Sequence, residues 1–135
     1  MFNKIRAIHV AVKNLEEAAK LYTDSYGLQV SKSDTLPVLG IKNAILPIGD
    51  AVIELIEPLD PQQGPVAKFL QNRGEGVYMI GLEVDDIDSA IQSLQDKDVR
   101  LLSTDAESRA KGIPVFIHPQ STKGLLIELV QKASA

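Results

Sequence analysis

Two glutamates are the residues whose type and position are best suited to chemistry. Glu54 lies in the apolar stretch AVIELIEP and Glu128 lies in the stretch LLIELVQ. Side chains alternate between the two faces of a strand, so Glu54 is predicted to share a face with Val52 and Ile56. A carboxylate on a core-side face costs several kcal/mol of desolvation unless it meets a cation, a proton or strong donors. We therefore predict that Glu54 and Glu128 are catalytic. For each glutamate two alternatives stay open: an ion pair with an arginine, or a position on a solvated face of the sheet.

A histidine in the first predicted strand is a further candidate. His9 occurs in the stretch IRAIHVAV, on the face that Ala7 and Ala11 share. A single histidine on a strand is either a hydrogen-bonded core residue or a functional group, and both alternatives remain open. As a functional group, His9 would be a metal ligand or would polarise a substrate carbonyl.

Two polar segments in the second half of the chain are candidates for binding. His118 is predicted to lie at a strand end near the mouth of a cavity. Lys123 supplies the one cation of the flexible loop QSTKG, where solvation and contact with an anion are the alternatives. Residues 109–112 are predicted to form a similar basic, mobile stretch.

The composition excludes several classes of protein. The chain has 135 residues, no cysteine and a net charge of −4, so disulfides and thiolate chemistry are excluded. Its 14 basic residues are scattered, which argues against nucleic acid as a partner. No apolar run approaches the length of a membrane span, and the N-terminus lacks the pattern of a secretory signal. We expect no membrane association and a cytoplasmic location.

An internal repeat organises the chain. The segments AIHVAVKNLEEAAKLY and MIGLEVDDIDSAIQSL align at a constant offset of 72 residues, which pairs Val12 with Val84. Each segment reads as a strand, a polar turn and an amphipathic helix. The first helix is predicted to begin after Asn14, in a capping box, and to end at Gly27. Asp86 is the predicted N-cap of the second helix.

Three further strands follow each helix, so each half is predicted to be a βαβββ unit. The predicted strands are residues 29–34, 42–48 and 51–57, then 100–103, 113–118 and 125–131. The halves cover residues 5–58 and 77–131, and the connector 59–76 carries a short helix at 66–72. Neither half can bury its sheet alone, so we predict one domain over 1–135 with an α+β fold. Its curved eight-stranded mixed sheet would surround a cavity shared by both glutamates. A ferredoxin-like fold is the alternative, but it lacks the extra strand in each half.

Four phrases resemble a known family. GVYMIGLEVDDIDSAI, PVAKFLQNRGEG, AVIELIEPL and HPQSTKGLLIEL are similar to the corresponding stretches of methylmalonyl-CoA epimerases, over about residues 5–131. These belong to the vicinal oxygen chelate superfamily, with glyoxalases, bleomycin-resistance proteins and dioxygenases. The resemblance implies that superfamily's fold, a homodimer, and a small-molecule substrate such as an acyl-CoA. It also implies a divalent metal, which would be cobalt, nickel, zinc or manganese.

The implied metal ligands are only partly present. The resemblance implies a histidine in strands one and five, a glutamate in strand eight, and a glutamine or glutamate in strand four. Glu54 and Glu128 match the last two, whereas Ala7 and Met79 occupy the usual histidine positions. His9 is displaced by two residues but stays on the same face. The metal set carried over is therefore His9, Glu54 and Glu128, and loss of the metal is the more economical interpretation.

Two functions from different classes follow. The favoured one is an epimerase-like or glyoxalase-like isomerase or lyase, in which Glu54 and Glu128 move a proton next to a carbonyl or acyl thioester. Without a metal, one of the two carboxylates is expected to have a raised pKa. The alternative is a metal-free binding protein that sequesters a small molecule, although three Tyr, three Phe and no Trp offer few stacking walls. In either case, the substrate contacts are assigned to Tyr78, Met79, His118 and Lys123.

Overall fold

The computed structural model describes residues 1–134. The strands are β1 Phe2–Ala11, β2 Lys32–Leu36, β3 Ile41–Ile48, β4 Ala51–Pro58, β5 Gly76–Val84, β6 Leu101–Leu102, β7 Val115–Ile117 and β8 Ile127–Gln131. The helices are α1 Leu15–Tyr26, α2 Pro65–Arg73, α3 Ile87–Asp96 and α4 Ala106–Ala110. The strands form an eight-stranded sheet in the order β2-β3-β4-β1-β5-β8-β7-β6. The β1–β4 and β5–β8 pairs are parallel and the β2–β3, β3–β4, β6–β7 and β7–β8 pairs are antiparallel, so the predicted mixed sheet of an α+β fold is confirmed.

The chain divides into two compact units. The N-terminal unit is Ala7–Tyr78. On one face of its strands, α1 covers a cluster that contains Val12, Ala44, Leu46 and Leu55. On the other face, α2 packs on Ala11, Ile41 and Ile56. Side chains alternate between the two faces along β1, so His9 points to the same face as Ala11, two residues away. This is the face on which α2 packs at Ala11.

The C-terminal unit contains Met1–Arg6 and residues 79–134. Its core lies between α3 and one face of β5, β7 and β8, where Ala90 and Leu94 meet Val84, Val115 and Leu129. Glu128 lies between the buried residues Ile127 and Leu129, so its side chain belongs to the opposite face of the strand.

The predicted helix ends are confirmed. The Asn14 side chain accepts a hydrogen bond from the Glu17 amide at the start of α1. Gly27 ends that helix with φ 71°, a left-handed conformation that favours glycine. The Asp86 side chain accepts from the Asp88 amide at the start of α3.

Each of these helices also has a second cap that local sequence did not reveal. The Leu15 amide donates to Glu57 Oε1 at 2.8 Å, and the Ile87 amide donates to Gln131 Oε1 at 2.8 Å. Glu57 and Gln131 both stand near the end of the strand that closes their half. Each βαβββ half therefore contains the same kind of contact, which runs from its last strand back to its first helix.

Several boundaries differ from prediction. The second strand begins at Lys32 and not at residue 29, and the short helix is one residue longer at each end than predicted. The basic stretch at residues 109–112 was predicted to be mobile, and no helix was predicted there. It includes the end of α4, which begins where the Asp105 side chain accepts from the Ser108 amide at 2.9 Å. Arg109 Nη2 contacts Asp88 Oδ1 at 3.2 Å. No helix within residues 1–134 has the length and apolar character needed to cross a membrane.

Candidate functional site

The parallel pairing of β1 and β4 brings together two of the predicted site residues. The register places His9 beside Glu54, between the pairs Ala7–Val52 and Ala11–Ile56. His9 Nδ1 lies 3.6 Å from Glu54 Oε2, which is the distance of an ion pair and too long for a good hydrogen bond. Both side chains are largely buried, at 6% and 16% exposure.

A third polar residue belongs to this group and was not predicted from the sequence. Asn43 is buried on β3, and its Nδ2 donates to Glu54 Oε2 at 3.2 Å. Its Oδ1 accepts a hydrogen bond from the Asp34 amide of β2 at 2.9 Å. The available signal was an asparagine inside the otherwise apolar stretch IKNAILPI, because buried amides need partners.

The surroundings of Glu54 keep its carboxylate ionised. Burial by itself raises the pKa of Glu54, since a charged group loses hydration in the protein interior. The imidazole of His9 and the amide of Asn43 favour the charged form and outweigh burial, so the pKa of Glu54 lies below its ordinary value. A raised pKa was expected for one of the two carboxylates in a metal-free site, and Glu54 is not that one.

Glu128 lies in the C-terminal unit, on β8. The register places it beside Gly81 of β5 and Phe116 of β7, and its side chain is half-buried. Glu54 stands beside a histidine in its own parallel pair, whereas Glu128 stands beside a glycine in the equivalent pair. The two halves of the repeat therefore give their glutamates different neighbours. The expectation that Glu54 and Glu128 share one cavity stays a prediction.

The residues at the usual histidine positions are buried. Ala7 is 7% exposed and Met79 is 8% exposed. Tyr78 packs edge-on against Phe69 of α2, with ring centroids 5.3 Å apart. Burial raises the pKa of the Tyr78 hydroxyl, which therefore stays protonated at neutral pH. Within the N-terminal unit, the ring of Tyr78 is part of the α2 cluster, and its predicted contact with substrate stays a prediction.

His118 and Lys123 lie at either end of a structured turn in the C-terminal unit. The His118 Nδ1 accepts from the Gln120 amide at 2.9 Å and begins a short 3-10 turn, so the neutral imidazole carries its proton on Nε2. Lys123 is exposed, with φ 62°. The Leu125 amide donates to Thr122 Oγ1 at 2.9 Å, which fixes the loop that presents Lys123.

Two clefts of the N-terminal unit lie elsewhere. One, of about 510 Å³, is lined by residues that include Leu59 and Ala67, and the other, of about 640 Å³, by residues that include Val12 and Tyr22. Neither lining contains the side chains grouped around Glu54. The candidate chemistry of this unit therefore belongs to the face of its sheet and not to these clefts.

The donor set fits a divalent metal poorly. A catalytic zinc site usually has three protein ligands, and imidazole donors give transition-metal sites much of their affinity. At the usual histidine positions, Ala7 offers no donor atom for a metal and Met79 offers only a soft thioether. Within residues 1–134 no three His, Cys, Asp or Glu side chains form a group suited to a metal ion. Asn43 Oδ1 is already used by a backbone amide. The residues therefore do not fit the metal that the resemblance implies.

A further buried carboxylate in the C-terminal unit was not predicted. Glu83 Oε2 accepts from Arg6 Nη1 at 2.7 Å and Glu83 Oε1 accepts from Asn3 Nδ2 at 3.2 Å. The hydrogen bond from Arg6 lowers the pKa of Glu83 and outweighs burial. Because both of its oxygens have partners, Glu83 is a structural ion pair that joins β1 to β5.

Comparison with known proteins identifies the class. The chain belongs to the Glyoxalase/Bleomycin resistance protein/Dioxygenase superfamily, whose sequence model matches residues 7–116. Its relatives within that superfamily include methylmalonyl-CoA epimerases. The human mitochondrial methylmalonyl-CoA epimerase is 38% identical over 130 residues, which cover 95% of this chain and 73% of the relative. The ethylmalonyl-CoA/methylmalonyl-CoA epimerase of Cereibacter sphaeroides is 34% identical, with 97% and 99% covered.

Solved structures of methylmalonyl-CoA epimerases have the same fold as this chain. A methylmalonyl-CoA epimerase variant from Streptomyces coelicolor, in complex with 2-nitronate-propionyl-CoA, has a TM-score of 0.87 and 28% identity to this chain. The superposed region covers 99% of this chain and 100% of the Streptomyces chain. The similarity confirms the predicted fold and family, and it supports the epimerase-like function over metal-free sequestration.

Proposed function

We propose that the protein is an epimerase that removes and returns the α-proton of an acyl-CoA thioester, with methylmalonyl-CoA as the first candidate substrate. The observation that carries this proposal is the Glu54 carboxylate, buried on the sheet and kept ionised by His9 and Asn43. A buried carboxylate is costly unless it is stabilised, and an ionised one is the form that accepts a proton. The similarity to methylmalonyl-CoA epimerases supports the reaction class.

The proposed chemistry is one reversible proton transfer. The α-carbon of a malonyl-type thioester lies between two carbonyl groups, so its C–H bond is acidic. Glu54 takes this proton, and the electrons of the C–H bond move into the thioester carbonyl to form an enolate. Return of a proton to the opposite face of the α-carbon gives the other epimer. No atom is gained or lost, and no oxidant or reductant is required.

The remaining roles are proposals from the sequence. Glu128 is assigned as the second proton carrier, because inversion is simplest when a separate acid serves the opposite face. His9 is assigned the polarisation of the enolate oxygen, and Tyr78, Met79, His118 and Lys123 are assigned to substrate contact. A homodimer and a cytoplasmic location are also proposed, to be tested by sedimentation of the purified protein and by cell fractionation.

Deuterium exchange tests the proposal. The purified protein is incubated in D₂O with a panel of acyl-CoAs that includes methylmalonyl-CoA and propionyl-CoA, and deuterium at the α-carbon is followed by NMR. We expect exchange with the malonyl-type thioester and a loss of about 100-fold or more in Glu54→Gln, since positioned general bases contribute that much. Glu57→Gln is the matched control on the same strand, because a glutamine there keeps the oxygen that caps α1. Absence of exchange with every acyl-CoA would refute the proposal.

A further inference from the structure

We infer that Asn43 is a positioning residue that holds one carboxylate oxygen of Glu54, so that the other oxygen carries the proton. Its Nδ2 donates to Glu54 Oε2 at 3.2 Å, and His9 Nδ1 lies 3.6 Å from that same atom. This role rests on the proposed function, because it assigns the two oxygens of the proposed base different tasks.

The orientation of the Asn43 amide is determined by its second hydrogen bond. Asn43 Oδ1 accepts from the Asp34 amide at 2.9 Å, across the β2–β3 pair. If the amide were flipped, its NH₂ group would face the Asp34 N–H and its oxygen would face the Glu54 carboxylate. Both contacts would then be repulsive, so the donor must point at Glu54. Asn43 is 4% exposed, and water is therefore a poor substitute for either partner.

The two oxygens of Glu54 differ in their contacts. Oε2 has Asn43 and His9 as neighbours, whereas Oε1 has no hydrogen bond or ion pair with any other residue between 1 and 134. The side chain is 16% exposed, so it is not sealed from the surface. An oxygen that already accepts from a fixed donor is the weaker base, since accepting the proton there would forfeit that bond. The unheld oxygen is therefore the one suited to proton transfer.

Substitution of Asn43 by aspartate separates its two contacts. Asn43→Asp keeps the shape and the oxygen that accepts from the Asp34 amide, but it removes the donor to Glu54. We expect kcat for α-proton exchange of methylmalonyl-CoA to fall on the order of 10- to 100-fold, with KM changed less than about twofold, because misplacing a reacting group affects mainly the chemical step. Asn43→Ala removes both contacts without adding a charge, and it should lower kcat by a similar factor if it folds.

Asn3→Asp is a matched control, since Asn3 Nδ2 makes the same 3.2 Å contact with the Glu83 carboxylate. It should change stability but not kcat. Combined with Glu54→Gln, the Asn43→Asp change should have no further effect on the rate. An unchanged kcat in Asn43→Asp, or an equal loss in the Glu54→Gln background, would overturn the positioning role.

A measurement without substrate distinguishes failure of this inference from failure of the proposed function. The side-chain NH₂ resonances of Asn43 are recorded by ¹H–¹⁵N NMR in the wild type and in Glu54→Gln. A hydrogen bond to a carboxylate predicts a clear shift on substitution, with the Asn3 resonances unchanged. If acyl-CoA exchange is absent but this shift is seen, the proposed reaction fails while the anchoring contact stands. If the Asn43 resonances do not move, the inference is wrong whatever the activity.

Discussion

His9 lies beside Glu54 in the parallel β1–β4 pair, with its Nδ1 3.6 Å from the carboxylate. The internal repeat gives the other half a different arrangement at the same place, where Gly81 lies beside Glu128. Glycine has no side chain, so Gly81 places no side-chain group beside Glu128. Two halves with one topology therefore place different residues beside their glutamates.

Removal of the His9 imidazole is expected to raise the pKa of Glu54. Burial raises this pKa, while the imidazole and the Asn43 amide lower it, so His9→Leu leaves burial less opposed. The pKa is read from the ¹³C shift of the Glu54 carboxyl group during a pH titration. His118→Gln is the control, and it should leave the titration of Glu54 unchanged. An unchanged or lower pKa in His9→Leu would show that His9 does not stabilise the carboxylate.

The Glu83–Arg6 ion pair is expected to make stability depend on pH. The folded-state pKa of Glu83 lies below its ordinary value of 4.5, so its stabilising contribution is present above that value. It is lost as the pH falls through the lowered folded-state pKa. Urea unfolding should show Glu83→Gln less stable than the wild type at neutral pH, with the difference shrinking in acid. Glu107→Gln, in an exposed pair with Lys111, should show little difference at either pH. A difference in stability between Glu83→Gln and the wild type that stays the same at neutral and acidic pH would contradict this account.

The core beneath α1 is expected to carry much of the stability of the N-terminal unit. Leu55 is fully buried, next to Leu46 and Ala44. Leu55→Ala should lower the free energy of unfolding by about 2–5 kcal/mol, because it removes apolar contacts and leaves a cavity. Leu21 is 50% exposed, and Leu21→Ala should change the same quantity by about 0.5 kcal/mol or less. Chemical denaturation followed by circular dichroism measures both, and equal effects would place the core elsewhere.

Metal binding is expected to be weak. The usual histidine positions hold Ala7 and Met79, which leaves His9 and Glu54 as the donors of the N-terminal unit. The protein is incubated with cobalt, nickel, zinc or manganese and then desalted, and its metal content is measured by mass spectrometry. We expect well under one equivalent, and no difference between the wild type and His9→Leu. One tightly held equivalent that His9→Leu loses would show that the displaced histidine serves as a ligand.

The sequence predicted the fold because the repeat is visible in it. The 72-residue offset separated the two βαβββ halves, and the alternation of side chains gave His9 and Glu54 a face within their own strands. That the two residues stand side by side is visible only in the register of β1 and β4. The same 74 positions that separate Glu54 from Glu128 also separate Glu57 from Gln131. The second pair therefore carried a signal for the helix caps, but its meaning depends on contacts between residues 42 and 44 positions apart.

Asn43 shows where prediction from the sequence ended. Its importance depends on two contacts, with β2 and with β4, that exist only once three strands are in register. An asparagine in an apolar strand could equally have faced solvent. The pKa of Glu54 was likewise beyond the sequence, because its direction is the outcome of opposing effects of burial, His9 and Asn43.

The measurement that tests the central claim most directly is the conversion of a single epimer of methylmalonyl-CoA into the mixture of both epimers. The purified protein is added at neutral pH and the circular dichroism of the thioester is followed with time. With the wild type we predict a decay to the signal of the equilibrium mixture of the two epimers, and with Glu54→Gln a trace at the uncatalysed rate. A flat trace with the wild type, or an undiminished decay with Glu54→Gln, would contradict the assignment of Glu54 as the proton carrier of an epimerase.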